Sequence, residues 1–424
     1  MPKTAVIALT ISTWILGWEV AQAANPSLGS SFQEWCLHKT RLSAEVRKTV
    51  EALLEEAGTS DCKQADENLS SRTELDLINN QITDVSLSGL TNLTYLYLYD
   101  NQITDVSALS GLTNLTGLDL SSNQITDVSP LSGLTNLTEL YLSDNQRIDV
   151  SPLSGLTNLD VLYLSNNQIT DVSSLSALTN LTYLYLDDNQ ITDVSSLSGL
   201  TNLSLLNLGN NQITDVTPLS GLTNLTELYL SNNQITDVSL SGLTNLTGLD
   251  LRNNQITDVS LSGVTNLRLL ILDNNQRIDV SSLSGLTNLT GLYLNDNQIT
   301  DVRSLSGLTN LTYLELSNNQ ITDVSSLSAL TNLTGLNLND NQRIDVRSLS
   351  GLTNLTYLEL SNTQITDVSS LSALTNLTEL DLSNNQITDV SALSELTNLT
   401  ELHLGDNPIP QPTCPVSPPD VCEF

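Results

Sequence analysis

Eleven tyrosines are the side chains best placed for recognition chemistry, because every one lies two, four or six residues before a recurring asparagine. The middle of these positions holds Tyr97, Tyr141, Tyr163, Tyr185, Tyr229 and Tyr293. The earlier one holds Tyr95, Tyr183, Tyr313 and Tyr357, and Tyr99 takes the later one. A phenol offers apolar area and a hydroxyl at small entropic cost, which suits a binding surface; the blander reading is that tyrosine fits a half-exposed strand. The same positions carry acids: Glu74, Asp76, Asp119, Glu139, Asp187, Glu227, Asp250, Asp273, Glu315, Glu359, Glu379, Asp381 and Glu401, against Arg252 alone. Rings among carboxylates predict a protein or peptide partner of basic character. A row of exposed rings also suits sugar faces, so a glycan-binding or adhesin-type surface protein is the alternative. On the same rows Gly117, Gly248, Gly291 and Gly335 read as gaps, and Leu205, Leu269 and Ile271 as exposed apolar spots.

Residues for catalysis are scarce. The two histidines, His38 and His403, are far apart, and no Ser-His-Asp, Cys-His or metal-hydrolase spacing occurs, so the expectation is a non-enzyme without a cofactor. Glu379, Asp381, Glu401 and His403 should converge on adjacent strands, either as solvated acidic surface or as a divalent-metal site. An aspartate also recurs four residues after each asparagine, from Asp84 and Asp105 to Asp389, fifteen in all. It either caps the following turn by accepting backbone N–H bonds or forms a calcium stripe. Thirteen Asn-Leu-Thr/Ser sequons, from Asn92 to Asn398, read as N-glycosylation acceptors in a eukaryotic secretory pathway or as strand starts in a bacterial protein.

Asp and Glu total 47 against 14 Lys and Arg, a formal charge of −33, which excludes nucleic acid as a partner. The 424 residues include only 2 Phe, 3 Trp and 11 Tyr, so the core must be aliphatic. What positions the tyrosines is a repeat. The asparagines run Asn80, Asn101, Asn123, Asn145 and onward to Asn341, then Thr363, Asn385 and Asn407: sixteen turns, with twelve intervals of 22 residues and three of 21. The short intervals each lack a residue in a DVSL segment. Within a turn Leu112, Leu115 and Leu118 are three apart, whereas Leu118 and Leu120 are two apart, the spacing of a strand. Turns of this kind bury their leucines by stacking into a parallel sheet backed by return segments. An asparagine in every turn would satisfy backbone groups of its neighbours, and Thr363 is expected to weaken that column.

The motif LxxLxLxxNxIxDV, carried by 72–407, resembles the leucine-rich repeats of bacterial internalins. The resemblance implies an α/β solenoid, a horseshoe whose parallel sheet lines the concave face. The Cys-bearing lead-in and the CPVSPPDVC tail resemble secreted cyanobacterial leucine-rich-repeat proteins. No LPxTG wall anchor or immunoglobulin-like domain follows the repeats, so the internalins' surface attachment and receptor binding are not implied.

Residues 1–23 read as a signal peptide: one lysine, an apolar run from Ala5 to Trp18, and small residues at Ala21 and Ala23. An uncleaved anchor is the alternative, and after cleavage no transmembrane segment remains. The expected location is secreted, periplasmic or in the cell envelope. In an oxidising compartment four cysteines allow three pairings, and the repeats between them favour Cys36 with Cys62 and Cys414 with Cys422. Open stacks need covered ends. Residues 24–71 are expected as a helical cap, with Ser43 starting a helix that runs to about Ala57 and Gly58 ending it, and 408–424 as a disulfide-closed C-terminal cap.

Overall fold

In the computed structural model, the described residues are 32–424 apart from Ser86, Ser88 and Pro412; the segment 1–23, expected to be a signal peptide, lies outside them. Three-residue strands, from Glu74–Asp76 to Glu401–His403, pair in parallel, each with the strand one turn on. The register never slips: Leu118 pairs with Leu96 on one side and Leu140 on the other. Every turn sends its leucines, isoleucine and valine inward, and nearly all are fully buried in one continuous aliphatic core. Alternation along each strand leaves the flanking residues on the outer face of the sheet.

The asparagine column holds the turns together. Asn211 is typical: its amide donates to the carbonyls of Leu186, Leu208 and Gly209 at 3.0, 3.1 and 3.1 Å, and its Oδ1 accepts from the Ile191 N–H at 2.9 Å. One side chain thus serves two turns. The residue before each column position has φ between 51° and 58°, a left-handed conformation that Asn and Asp tolerate. Asn or Asp stands there in every turn but one, where Ser122 takes the place.

The return side depends on turn length. Turns of full length form a short 3₁₀ segment such as Ser129–Gly133. The 21-residue intervals have no room for it: Asp237–Ser239 and Asp258–Ser260 run extended and pair in a two-stranded sheet, and Asp84 bridges to Asp105.

Three turns, at Asn145, Asn275 and Asn341, read NQRIDV instead of NQITDV, which moves the isoleucine one place along. The Ile344 N–H then bonds the backbone carbonyl of residue 363 at 3.1 Å, where a regular turn uses the next asparagine's Oδ1. Thr363 follows one of these turns; after the other two, the asparagine Oδ1 instead accepts from the N–H of Asn145 or Asn275. The Thr363 hydroxyl donates to Leu360 O at 2.6 Å and lies 3.2 Å from Asn385 Oδ1, and the residue is fully buried. Thr363 is thus bonded within its own turn and forward to the next, but it makes no counterpart of the amide's bond back to the previous turn, the loss expected of a hydroxyl in this column.

Three helices precede the first strand: α1 (Phe32–Leu37), α2 (Ala44–Glu56) and α3 (Cys62–Ser70). Ser43 caps α2 by accepting from the Val46 N–H, and Gly58 follows it at φ 69°. The Cys36–Cys62 disulfide joins α1 to α3, with the Cα atoms 5.5 Å apart. At the other end the Cys414–Cys422 bridge folds the tail back, so that Cys422–Glu423 adds a final strand beside Leu402 and His403. Seventeen strands thus form the main sheet. This last strand escapes sequence reasoning because it borrows its pairing from the repeat.

Asn211→Ala orphans the buried Ile191 N–H and should cost about 2–4 kcal/mol, whereas Thr363→Ala orphans no backbone group and should cost about 1 kcal/mol. Equilibrium urea unfolding of the two variants measures the difference.

Candidate functional site

The middle outward row runs Tyr97, Asp119, Tyr141, Tyr163, Tyr185, Asn207, Tyr229, Asp250, Ile271, Tyr293 and Glu315, in strand order. The rings gather in groups. Tyr141, Tyr163 and Tyr185 form a stack, with centroids 4.9 and 4.1 Å apart. A second group joins Tyr293 to Tyr313 at 5.6 Å and Tyr313 to Tyr357 at 6.3 Å. Tyr95 and Tyr97 lie 6.4 Å apart near the first turn. Tyr99 and Tyr183 are the most exposed tyrosines, at 43% and 42%, and Leu269 is similarly open.

The glycines are not gaps. A Cβ on Gly117 would fall inside the ring of Tyr95, and one on Gly335 inside that of Tyr313; at Gly248 it would strike the carboxylate of Glu227. Tyr313 reaches across Gly335 to meet Tyr357, so this glycine makes room for an aromatic contact spanning two strand spacings.

The acids differ in how free they are. Asp250 is buried and held by Arg252, whose guanidinium lies 2.8 Å from its Oδ2. Glu315 is buried beside Tyr313. Asp187 accepts from Ser165 Oγ at 2.6 Å and Asn207 Nδ2 at 3.0 Å, and Asp119 accepts from the Ser121 N–H at 2.9 Å. These four tie the face together, while Glu74, Asp76, Glu379 and Glu401 stand exposed at its two ends.

Tyrosine and carboxylate also share strands. The Tyr141 hydroxyl donates to Glu139 at 3.2 Å and that of Tyr229 to Glu227 at 3.5 Å. Burial, then the charge of Glu139, pushes Tyr141 up to about 12, and burial with the Tyr163 hydroxyl does the same to Tyr185. Burial and the bonded carboxylates Glu315 and Glu359 also raise Tyr313 and Tyr357. All these phenols remain neutral donors. Between the two ring groups, burial raises Asp273 to about 6, against the pull of the Asn295 N–H and of Arg252.

Elsewhere the recurring polar residues serve the fold. Most of the aspartate file caps the return segment: Asp127 Oδ1 accepts from the Ser129 N–H at 2.8 Å, and Asp389 from the Ser391 N–H at 2.9 Å. Bonds from Arg303 and Arg347 to Asp301 and Asp345 lower each carboxyl to about 2. The sequon asparagines form a second ladder: Asn114 Nδ2 donates to Thr91 O, and Asn398 Nδ2 to Thr375 O, each at 2.8 Å. His403 lies 3.0 Å from Glu423 on the terminal strand and 3.9 Å from Glu401. No group of three or more His, Cys, Asp or Glu side chains among the described residues is arranged to hold a metal.

The family described as "Leucine Rich repeats (2 copies)" matches in overlapping segments from 73 to 263 and from 287 to 413. The chain belongs to the leucine-rich-repeat family. Its structural relatives include an internalin of Listeria monocytogenes, 37% identical, which aligns over 80% of this chain and 95% of that one with a TM-score of 0.66. A leucine-rich-repeat protein of Leptospira interrogans is 28% identical over 84% of this chain and 96% of that one, TM-score 0.76. The functional domain of the Listeria internalin InlJ, which includes a cysteine ladder, is 31% identical over 80% and 74%, TM-score 0.68. No curated protein matches the chain. This family's solenoid is a scaffold typical of protein–protein recognition, and nothing in the chain indicates catalysis. Among the described residues no helix is long and apolar enough to cross a membrane.

The pH dependence of stability should reflect two opposed carboxylate shifts. Asp273 is raised, so it binds a proton in the fold before the unfolded chain does, and stability rises as pH falls from about 6 toward 4. Asp301 and Asp345 are lowered, so their contribution is present above about 4 and is lost as pH falls toward 2. Thermal melts should show a rise from pH 7 to about 4.5 and a fall below about 3. Asp273→Asn should shrink the rise and leave the fall in place.

Proposed function

We propose that this protein is a non-enzymatic recognition protein that binds a basic protein or peptide on the outward face of its sheet. The observation that carries the proposal is the pair of aromatic groups, Tyr141–Tyr163–Tyr185 and Tyr293–Tyr313–Tyr357, on either side of the acids Asp250 and Asp273, with Glu315 buried beside Tyr313 in the second group. The rings present edges and hydroxyls. Exposed Glu74, Asp76, Glu379 and Glu401 at the ends, with the net charge of −33, would steer a cationic partner in from either side. Stacking favours a peptide over a glycan. Within Tyr141–Tyr163–Tyr185 the middle ring has both faces covered by its neighbours, whereas sugar binding uses an open ring face.

Replacing Tyr141, Tyr163 and Tyr185 together by Ser should weaken capture of basic polypeptides at least about tenfold, a loss of roughly 1.4 kcal/mol. Raising salt should weaken capture by the unchanged protein. If the triple variant binds every detected polypeptide as before, the face is not the site. A glycan-array signal abolished by Tyr163→Ala would replace the peptide with a sugar.

We also propose that the protein acts outside the cytoplasm and that 1–23 is its signal peptide. Two disulfides and the internalin relatives support this. N-terminal sequencing of exported protein should begin at Ala24, and a start at Met1 would overturn it.

A further inference from the structure

The three NQRIDV turns are departures from the repeat that the sheet face does not use. Displacing the isoleucine removes the carbonyl that would otherwise receive the next turn's glutamine N–H; in a regular turn Gln124 N donates to Ile103 O at 2.9 Å. After the displaced turns Gln168, Gln298 and Gln364 adopt φ of 55°, 56° and 57°, and their N–H groups make no hydrogen bond among the described residues. The displacement also places an arginine at the rim, as Arg147, Arg277 and Arg343. None of the three guanidiniums makes a hydrogen bond or ion pair among the described residues.

At two of these turns the donors share a notch. One, of about 390 Å³, is lined by Arg343, Asp345, Arg347, Gln364 and Asp367. The other, of about 370 Å³, is lined by Arg277, Asp279, Gln298 and Asp301. Both lie on the edge between the asparagine column and the return segment, away from the tyrosines. Near each, a second arginine neutralises a cap aspartate, Arg347 on Asp345 and Arg303 on Asp301. From Arg277 to Arg347 the four arginines Arg277, Arg303, Arg343 and Arg347 stand against the four file aspartates Asp279, Asp301, Asp323 and Asp345, so this stretch is the near-neutral window of the edge.

We propose that the Arg277 and Arg343 notches are a paired binding site for carboxylate side chains on an extended peptide. A guanidinium with an unpaired backbone N–H from the adjoining turn is a donor set for a carboxylate. The sites are three turns apart, which places them at least about 14 Å from one another, the span of four or more residues of extended chain. Remaining carboxylates such as Asp367 and Asp279 are acceptors for peptide N–H groups, whereas a uniform polyanion would set further charges against them. The site is separate from the sheet face and does not depend on what binds there.

The test uses the full chain and acetylated, amidated peptides of Ser and Thr that carry one Glu, or two Glu separated by three to six residues. Calorimetric titration should show a two-Glu peptide binding at least about tenfold more tightly than the one-Glu peptide, through effective concentration. Arg343→Gln or Arg277→Gln should erase that advantage. Arg147→Gln, six turns from Arg277, should preserve it. Melting curves that match the unchanged protein establish that the variants fold, and the Tyr141/Tyr163/Tyr185 triple Ser variant should bind these peptides normally. Equal affinity for one-Glu and two-Glu peptides, or an unaltered advantage in Arg343→Gln, overturns the proposal. Tighter binding of an oligouronate than of every two-Glu peptide overturns the peptide assignment.

Discussion

The structure depends on a carboxamide that can give and receive at once. Each turn ends its strand in a left-handed residue, which exposes carbonyls that no ordinary strand pairing would satisfy inside an aliphatic core. The asparagine that follows donates to carbonyls of its own turn and the previous one, and it accepts an N–H from the previous turn. Leucine burial supplies attraction between turns but no register, because one leucine layer packs on another at many offsets. The amide removes that freedom: a slip of one residue would strand its carbonyl oxygen and its N–H groups in the core. Constant register then lets residues from distant parts of the sequence form straight rows on the surface.

Much of this was legible in the sequence. The leucine spacing marks the strands, the 22-residue period gives the stack, and the paired cysteines at each end give the bridges. Ser43 and Gly58 delimit their helix because capping is local chemistry. Other features needed coordinates, for identifiable reasons. Thr363 breaks the column as its hydroxyl implies, but only coordinates show that the Ile344 N–H of the turn before it has moved to the backbone carbonyl of residue 363, a relation between residues 19 apart. Gly117 and Gly335 look like holes, but side-chain direction decides whether a hole is filled, and sequence spacing does not encode direction. The edge strand at Cys422 carries no pattern of its own.

The sheet face and the arginine edge show two ways in which a repetitive scaffold acquires specific features. On the sheet face the backbone is constant and outward side chains vary, so novelty comes from grouping: rings stack where neighbouring strands both carry them, and acids become buried where a cation or phenol adjoins. On the edge the backbone itself changes, and a one-place displacement of isoleucine frees a donor in the following turn. The first kind of change leaves core hydrogen bonding intact. The second alters it, and its effect reaches the following turn.

The ring-over-glycine contacts limit how the array can be rearranged. In the core most full-length turns are interchangeable, presenting the same leucines and the same amide; the turns with a displaced isoleucine and the one with Thr363 are not. On the surface Tyr95 needs the bare backbone of Gly117, and Tyr313 needs that of Gly335. Excising the Gly117 or the Gly335 turn would set the ring beside Glu139 or Tyr357 and force it into another direction, whereas copying either glycine turn leaves the ring its bare neighbour. The array can therefore lengthen at these glycines more easily than it can shorten there.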